Sequence, residues 1–207
     1  MTKSKEIIDY LDKLIPEPKC ELNYIKDYEL LLAVMLSAQT TDKRVNMVTD
    51  ILFGKYPSLN DLINAPLEDI MEIIKPIGTY HKKAKNIKNI AFRLLNEQNG
   101  KVPNDRLFLE SLDGVGRKTA NVVLSTLYGE PYIAVDTHVS RVSKRLGIAK
   151  ESDNVLEVEE KLYRFFKYGN RSRLHHQLVL FGRYYCKAIN PVCGQCLLKN
   201  YCKCQKN

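Results

Sequence analysis

The chain has 207 residues, a formal net charge of +8 and a pI near 9.1. That length suits one domain or two small ones with a sizeable core, and 44% apolar residues exclude a disordered chain. No apolar run approaches the ~20 residues of a membrane helix and residues 1–14 lack a secretory core, so the chain is read as intracellular, with a basic balance that favours nucleic acid as partner.

The predicted elements are almost all helical. Residues 6–14 place Ile7, Ile8, Leu11 and Leu14 at helical spacing. Residues 28–36 form an apolar run that reads as a buried helix. Residues 42–53 follow, with Thr40, Thr41 or Asp42 as candidate N-cap. Further periodic segments lie at 59–65, 67–74 and 82–96, separated by Gly54, Pro57, Pro66, Pro76 and Gly78. Helices at 105–112, 118–128, 137–146, 155–166 and 174–185 complete the set. Residues 132–135 are the nearest approach to a strand, and Gly129-Glu130-Pro131 is the best internal break.

Residues 109–123 read Leu-Glu-Ser-Leu-Asp-Gly-Val-Gly-Arg-Lys-Thr-Ala-Asn-Val-Val. One helix ends near Leu112 and another starts near Arg117, with Gly114 and Gly116 bracketing Val115. The glycines permit backbone angles closed to other residues and leave amide groups uncovered at a helix N-terminus. Such a terminus binds phosphate through its donors and its dipole together. Val115 would pin the turn to the core. A glycine-stiffened connection with no ligand is the plain alternative. The basic pair Arg117-Lys118 directly after the glycines favours phosphate.

Lys118 falls in the first turn of the second helix, where the dipole disfavours a cation. Lysine loses its proton readily on partial burial, and a neutral amine is a nucleophile toward an electrophilic sugar carbon. Asp136 lies eighteen residues on, in Ile133-Ala-Val-Asp-Thr-His138. A helix from Lys118 to Leu127 climbs roughly 15 Å, and an extended return from Tyr132 covers roughly 16 Å. Asp136 is thereby expected at about the level of Lys118, where a carboxylate can assist amine deprotonation or stabilise positive charge on a sugar ring. It is also a good N-cap for a helix starting at Thr137. Both roles are compatible.

Five of the six cysteines lie between Cys186 and Cys204. Disulfides are rare inside cells, so a metal or cluster site is the better reading. Cys186, Cys193, Cys196 and Cys202 have the spacing C-x6-C-x2-C-x5-C. Four thiolates suit either tetrahedral zinc or a [4Fe-4S] cluster, and spacing alone leaves both open. Cys204 and Cys20 fall outside the pattern and are read as unbridged thiols. Lys187, Lys199 and Lys203 flank the ligands and could touch phosphate.

Ser37-Ala-Gln-Thr-Thr-Asp42, residues 112–123, residues 133–138 and the four-cysteine spacing together resemble the endonuclease III family of helix-hairpin-helix DNA glycosylases, over nearly the whole length. The resemblance implies an all-α protein of two helical domains with a cleft between them. One, residues 20–130, would be a six-helix barrel carrying the hairpin; the other, residues 1–19 with 131–207, would hold a [4Fe-4S] cluster. Lys118 corresponds to the family's Schiff-base lysine, Asp136 to its catalytic aspartate, and the four spaced cysteines to its cluster ligands. Oxidised pyrimidines such as thymine glycol would be excised after the base is flipped out, followed by β-elimination at the abasic site. Gln39 corresponds to a residue that fills the space of the flipped base. Gly114, Val115, Gly116, Arg117 and His138 join it as expected DNA contacts, on damaged double-stranded DNA bound by a monomer at the nucleoid. In Pro76-Ile-Gly-Thr-Tyr-His81 the chain departs from the family, because Thr79 stands where an apolar wedge is expected.

Two other readings compete. Mismatch and adenine glycosylases resemble the chain, but usually lack a lysine at the Lys118 position, and the adenine enzymes carry an extra C-terminal domain. A non-catalytic DNA-binding module with a structural metal would explain the hairpin, charge and cysteines, and would leave the Lys118–Asp136 pairing as coincidence.

Overall fold

The computed structural model describes residues 2–167 and 169–204, and every regular element among them is helical. The chain forms two compact units, Glu21–Tyr128 and the discontinuous pair Met1–Cys20 with Gly129–Asn207. The first helix, α1 (Lys3–Leu14), belongs to the discontinuous unit.

Within Glu21–Tyr128 the central element is α2 (Asp27–Leu36). From Leu30 onward it is apolar all round, and Leu30, Leu31, Leu32, Ala33 and Leu36 are wholly buried. A helix with no polar face must be enclosed. The neighbours that enclose it are α3 (Asp42–Lys55), α6 (Tyr80–Glu97) and α8 (Arg117–Tyr128). The short helices α4 (Leu59–Asn64) and α5 (Leu67–Ile74) pack on α6, and α7 (Arg106–Glu110) packs on α8. Local chemistry starts several of them. Thr41 caps α3 by accepting from the Arg44 amide, Ser58 and Asp61 form a capping box on α4, and Asp105 caps α7 by accepting from the amides of Leu107 and Phe108 at 2.8 and 3.1 Å. The helix expected from residue 82 begins two residues earlier, at Tyr80.

In the discontinuous unit the core joins Ile7 and Leu11 of α1 to α9 (Thr137–Arg145), α10 (Val155–Phe165) and α11 (Arg171–Leu180). Each fully buried aliphatic side chain contributes about 2 kcal/mol. The Asp12–Arg173 ion pair at 2.9 Å is part-exposed and adds ~1 kcal/mol at most. Apolar burial therefore decides where α1 docks. Residues 132–135 form no regular element and pair with no strand among the described residues. Ile133, Ala134 and Val135 are instead buried side chain by side chain.

The helix expected over 174–185 divides. α11 ends at Leu180 and a π turn, Phe181–Tyr185, follows, closed by the Cys186 amide donating to the Phe181 carbonyl at 2.7 Å. A Cβ on Gly182 would lie 2.8 Å from the His138 Cβ and 3.1 Å from its carbonyl oxygen. Glycine is thus what lets this turn lie against α9, and the wide turn sets the direction in which the chain leaves for the cysteine loops.

Candidate active site, DNA interface and cluster pocket

The hairpin connects α7 to α8. Leu112 and Val115 are buried, and the Val115 amide donates to the Leu112 carbonyl at 3.1 Å. Gly114 has φ +80°, and a Cβ there would lie 2.3 Å from Asn86 Nδ2 on α6. Its glycine is required twice, by conformation and by packing. Gly116 is different: a Cβ there would meet nothing within 4 Å, and its φ is not in the left-handed region. Nothing within the chain asks for glycine at that position. Arg117 and Lys118, the first two residues of α8, are exposed. Partial burial therefore does not distinguish Lys118 from other lysines. Its seat in the first turn does, beside amides that lack intrahelical partners.

Gln39 and Thr79 are exposed, in the turns that precede α3 and α6. Both are left-handed, with φ of 62° and 57°. Among the described residues the other non-glycine residues in that region are Asn99 and Asn190, a residue type that tolerates it. Glutamine and β-branched threonine do not, and such strain concentrates where function requires it. The Thr79 hydroxyl donates to the Gly78 carbonyl at 2.7 Å and does not cap α6. Behind the Gln39 turn stands Lys83, almost fully buried, whose Nζ donates to the carbonyls of Leu36 and Ala38 at 2.9 and 2.8 Å. Burial holds its pKa below the ordinary lysine value.

In the discontinuous unit Asp136 is the N-cap of α9. Its Oδ1 accepts from the Val139 amide at 2.8 Å, which leaves Oδ2 without a partner among the described residues. His138 is half-buried, with Nδ1 3.2 Å from Arg141 Nη2. The far end of the same helix holds the cysteine loop. Arg141 Nε donates to the Cys186 carbonyl at 3.0 Å, and Arg145 donates to the Lys187 and Ala188 carbonyls at 2.6 and 3.2 Å. Burial pushes the Cys186 thiol up, while the adjacent Arg145 guanidinium opposes that shift. Arginine here favours the thiolate that a metal needs.

Cys186, Cys193, Cys196 and Cys202 line one cavity of about 380 Å³, together with Arg145, Leu146 and Phe181. No three His, Cys, Asp or Glu side chains among the described residues converge tightly enough for a single metal ion. The four thiols share one pocket and are the donor set that a [4Fe-4S] cluster takes. Cys204, outside the sequence pattern, lines the same pocket.

Sequence reasoning passed over Lys83, Asn86 and Arg145. Lys83 left one signal: it occupies an apolar register of α6, in line with Ile87, Ile90 and Leu94. Arg145 left none, because its partners are main-chain carbonyls about forty residues away.

Residues 32–167 match the model of the HhH-GPD superfamily base excision DNA repair protein, and residues 186–202 match the iron–sulfur binding domain of endonuclease III. Endonuclease III of Bacillus subtilis (strain 168) is 49% identical over 206 residues, covering 98% of this chain and 94% of that protein. The chain belongs to the endonuclease III family. Endonuclease III of Escherichia coli (strain K12) is 45% identical, with 98% and 97% covered. A solved structure of a trapped endonuclease III–DNA covalent intermediate superposes with a TM-score of 0.89 at 47% identity, covering 98% of this chain and 97% of that one. A thermostable thymine-DNA glycosylase, 23% identical with a TM-score of 0.84, shares the fold. As an endonuclease III family member the chain is a base-excision repair enzyme, a DNA glycosylase for oxidised pyrimidines with lyase activity at abasic sites, and its cofactor is a [4Fe-4S] cluster. Among the described residues no helix is long and apolar enough to cross a membrane.

Proposed function

We propose that Lys118 is the nucleophile of this glycosylase and lyase, that Asp136 is its carboxylate partner in catalysis, and that Gln39, Thr79, the 114–117 turn and His138 contact damaged double-stranded DNA. The observation that carries the reading is the place of Lys118, an exposed amine in the first turn of α8, directly after a glycine turn whose second glycine has no reason within the chain.

The Lys118 amine, once deprotonated, attacks C1′ of the damaged nucleotide. The N-glycosidic bond breaks, and its electron pair leaves with the base, which takes up a proton. Ring opening turns the C1′ aminal into an imine, with the sugar ring oxygen accepting a proton. Loss of a C2′ proton then expels the 3′ phosphate, and water releases Lys118. Asp136 Oδ2, unused by the cap, supplies negative charge while positive charge grows on the sugar. The cap bond on Oδ1 fixes the carboxylate and costs it little of its charge. Amides of residues 114–117 hold a backbone phosphate through donors that need no side chain. The base is extruded into the protein, since chemistry on it is blocked inside the stack.

Cys186, Cys193, Cys196 and Cys202 are the residues that would hold the cluster, which when bound supplies a covalent link among their loops. The lesion spectrum is that of oxidised pyrimidines such as thymine glycol, and Thr79 is where opposing-base preference would depart from the family. The chain works as a monomer on nucleoid DNA, with residues 20–130 as the barrel domain and residues 1–19 with 131–207 as the cluster domain.

Borohydride reduction on a thymine glycol duplex tests the nucleophile. Wild-type protein should become covalently trapped, Lys118→Gln should not, and Asp136→Asn should bind the duplex while losing ~100-fold or more in excision. Full trapping by Lys118→Gln, or unchanged turnover by Asp136→Asn, contradicts the assignment.

A further inference from the structure

Thr79 is the left-handed N-cap of α6, and Lys83 and Asn86 lie three residues apart within the helix, on one face. Each meets a different piece of the proposed DNA surface. Thr79 is the strained turn residue itself, and Asn86 abuts Gly114 of the hairpin. Lys83 holds the turn that carries Gln39.

The Lys83 contact has a clear logic. Leu36 is the last residue of α2, where closing carbonyls lack intrahelical partners and the dipole is negative. Lys83 Nζ bridges that carbonyl and the Ala38 carbonyl, one residue before Gln39. An ammonium with three donors on one atom can join two carbonyls in this way. The remaining register of α6, with Ile87, Ile90 and Leu94, is apolar. Burying an amine there is costly unless its donors are satisfied. A merely structural position would hold an aliphatic residue as well. The turn it grips is the one whose glutamine sits at φ 62°, a conformation that persists only where the surroundings over-determine it.

We propose that Lys83 is a positioning residue for base extrusion: its ammonium, from within the α6 core, clamps the Leu36 and Ala38 carbonyls and so presents Gln39 outward in its left-handed conformation. The proposal rests on Gln39 occupying the space left by the flipped base. Lys83 touches neither DNA nor the reacting atoms and acts through the turn.

The test is a double-mutant cycle on the intact holoenzyme, with a thymine glycol duplex carrying 2-aminopurine beside the lesion. Its fluorescence rises when stacking is broken. Lys83→Met should keep the helical spectrum and cluster absorbance. It should slow single-turnover excision about tenfold, the scale of a lost charged hydrogen bond, and should diminish the fluorescence rise. Gln39→Ala should do the same. The double variant should be no slower than the slower single variant, because both act through one device. Lys83→Arg, which keeps the charge and donors, should recover part of the rate. If Lys83→Met multiplies the Gln39→Ala loss, or slows excision with the fluorescence rise intact, the clamp is overturned and Gln39 keeps its role. If Gln39→Ala excises like wild type, the Gln39 assignment fails first and takes the clamp with it. Should Lys83→Met lose its helical spectrum, the same cycle with Lys83→Arg decides: partial, non-multiplying loss supports the clamp and multiplying loss removes it.

Discussion

Thr79 holds φ 57° with a branched side chain exposed to solvent. That conformation costs a non-glycine residue about 1–2 kcal/mol. Its hydroxyl is turned back on the Gly78 carbonyl and does not cap α6. The strain therefore earns no local stability in return. Thr79→Gly should raise the unfolding free energy in urea by about 1 kcal/mol, reduced somewhat by the greater freedom of glycine in the unfolded chain. The same change should lower excision if Thr79 contacts DNA as proposed, because the turn keeps its shape but loses that side chain. A variant that is less stable than wild type would show that the left-handed angle is not strained. Asp136 makes the opposite case at this scale. Its cap and its proposed chemistry use different oxygens, so one residue serves stability and catalysis without conflict.

At the scale of elements, α6 and α9 each tie two features together. α9 begins at Asp136 and ends at Arg145 on the cysteine loop. α6 begins at Tyr80, directly after Thr79; its Lys83 holds the Gln39 turn and its Asn86 abuts Gly114 of the hairpin. The glycines of that hairpin separate two requirements that sequence reading had merged. Gly114→Ala places a methyl against Asn86 at positive φ and should destabilise the protein by about 2 kcal/mol or more. Gly116→Ala has room and an ordinary φ, so thermal stability should change by no more than ~0.5 kcal/mol. Duplex affinity should nevertheless fall, since a methyl would stand over the amides proposed to hold a backbone phosphate. Equal thermal shifts for the two variants in calorimetry would refute this division of labour.

For the molecule as a whole, both units bury an aliphatic core, one around α2 and one joining α1 to α9, α10 and α11. The cysteine loops after Tyr185 have almost no such core. Ile189, Val192 and Leu197 are exposed, and Leu198 is the loop's buried anchor. A bound cluster therefore contributes much of the folding free energy of these loops. Removing iron should raise amide exchange first across residues 186–204 and then in α9, whose Arg145 carbonyl accepts from the Lys203 amide at 2.7 Å. Residues 21–128 should keep their protection. Unchanged exchange in 186–204 after iron loss would mean that the loops stand without the cluster.

Residues close in sequence determined most of what was legible in advance. The helical periods, the capping residues, the glycine hairpin and the cysteine spacing are local signals, and each depends on a few neighbours along the chain. The spacing of Cys186, Cys193, Cys196 and Cys202 could not separate zinc from a cluster, because both take four thiolates; the match of residues 186–202 to the iron–sulfur binding domain of endonuclease III does. The break of the last helix at Phe181 was invisible because nothing in residues 174–185 forbids a helix. It follows from α9 lying against Gly182, more than forty residues away in sequence. Lys83 showed only its place in the apolar register of α6, and not its partners. A lysine on a helix reads as solvated until the carbonyls of Leu36 and Ala38 are brought to it. Sequence alone set most of the elements and named the candidate reactive groups. Tertiary structure decided which buried polar group serves which turn, since hydrogen bonds to main-chain carbonyls leave no mark on the residue types that provide them.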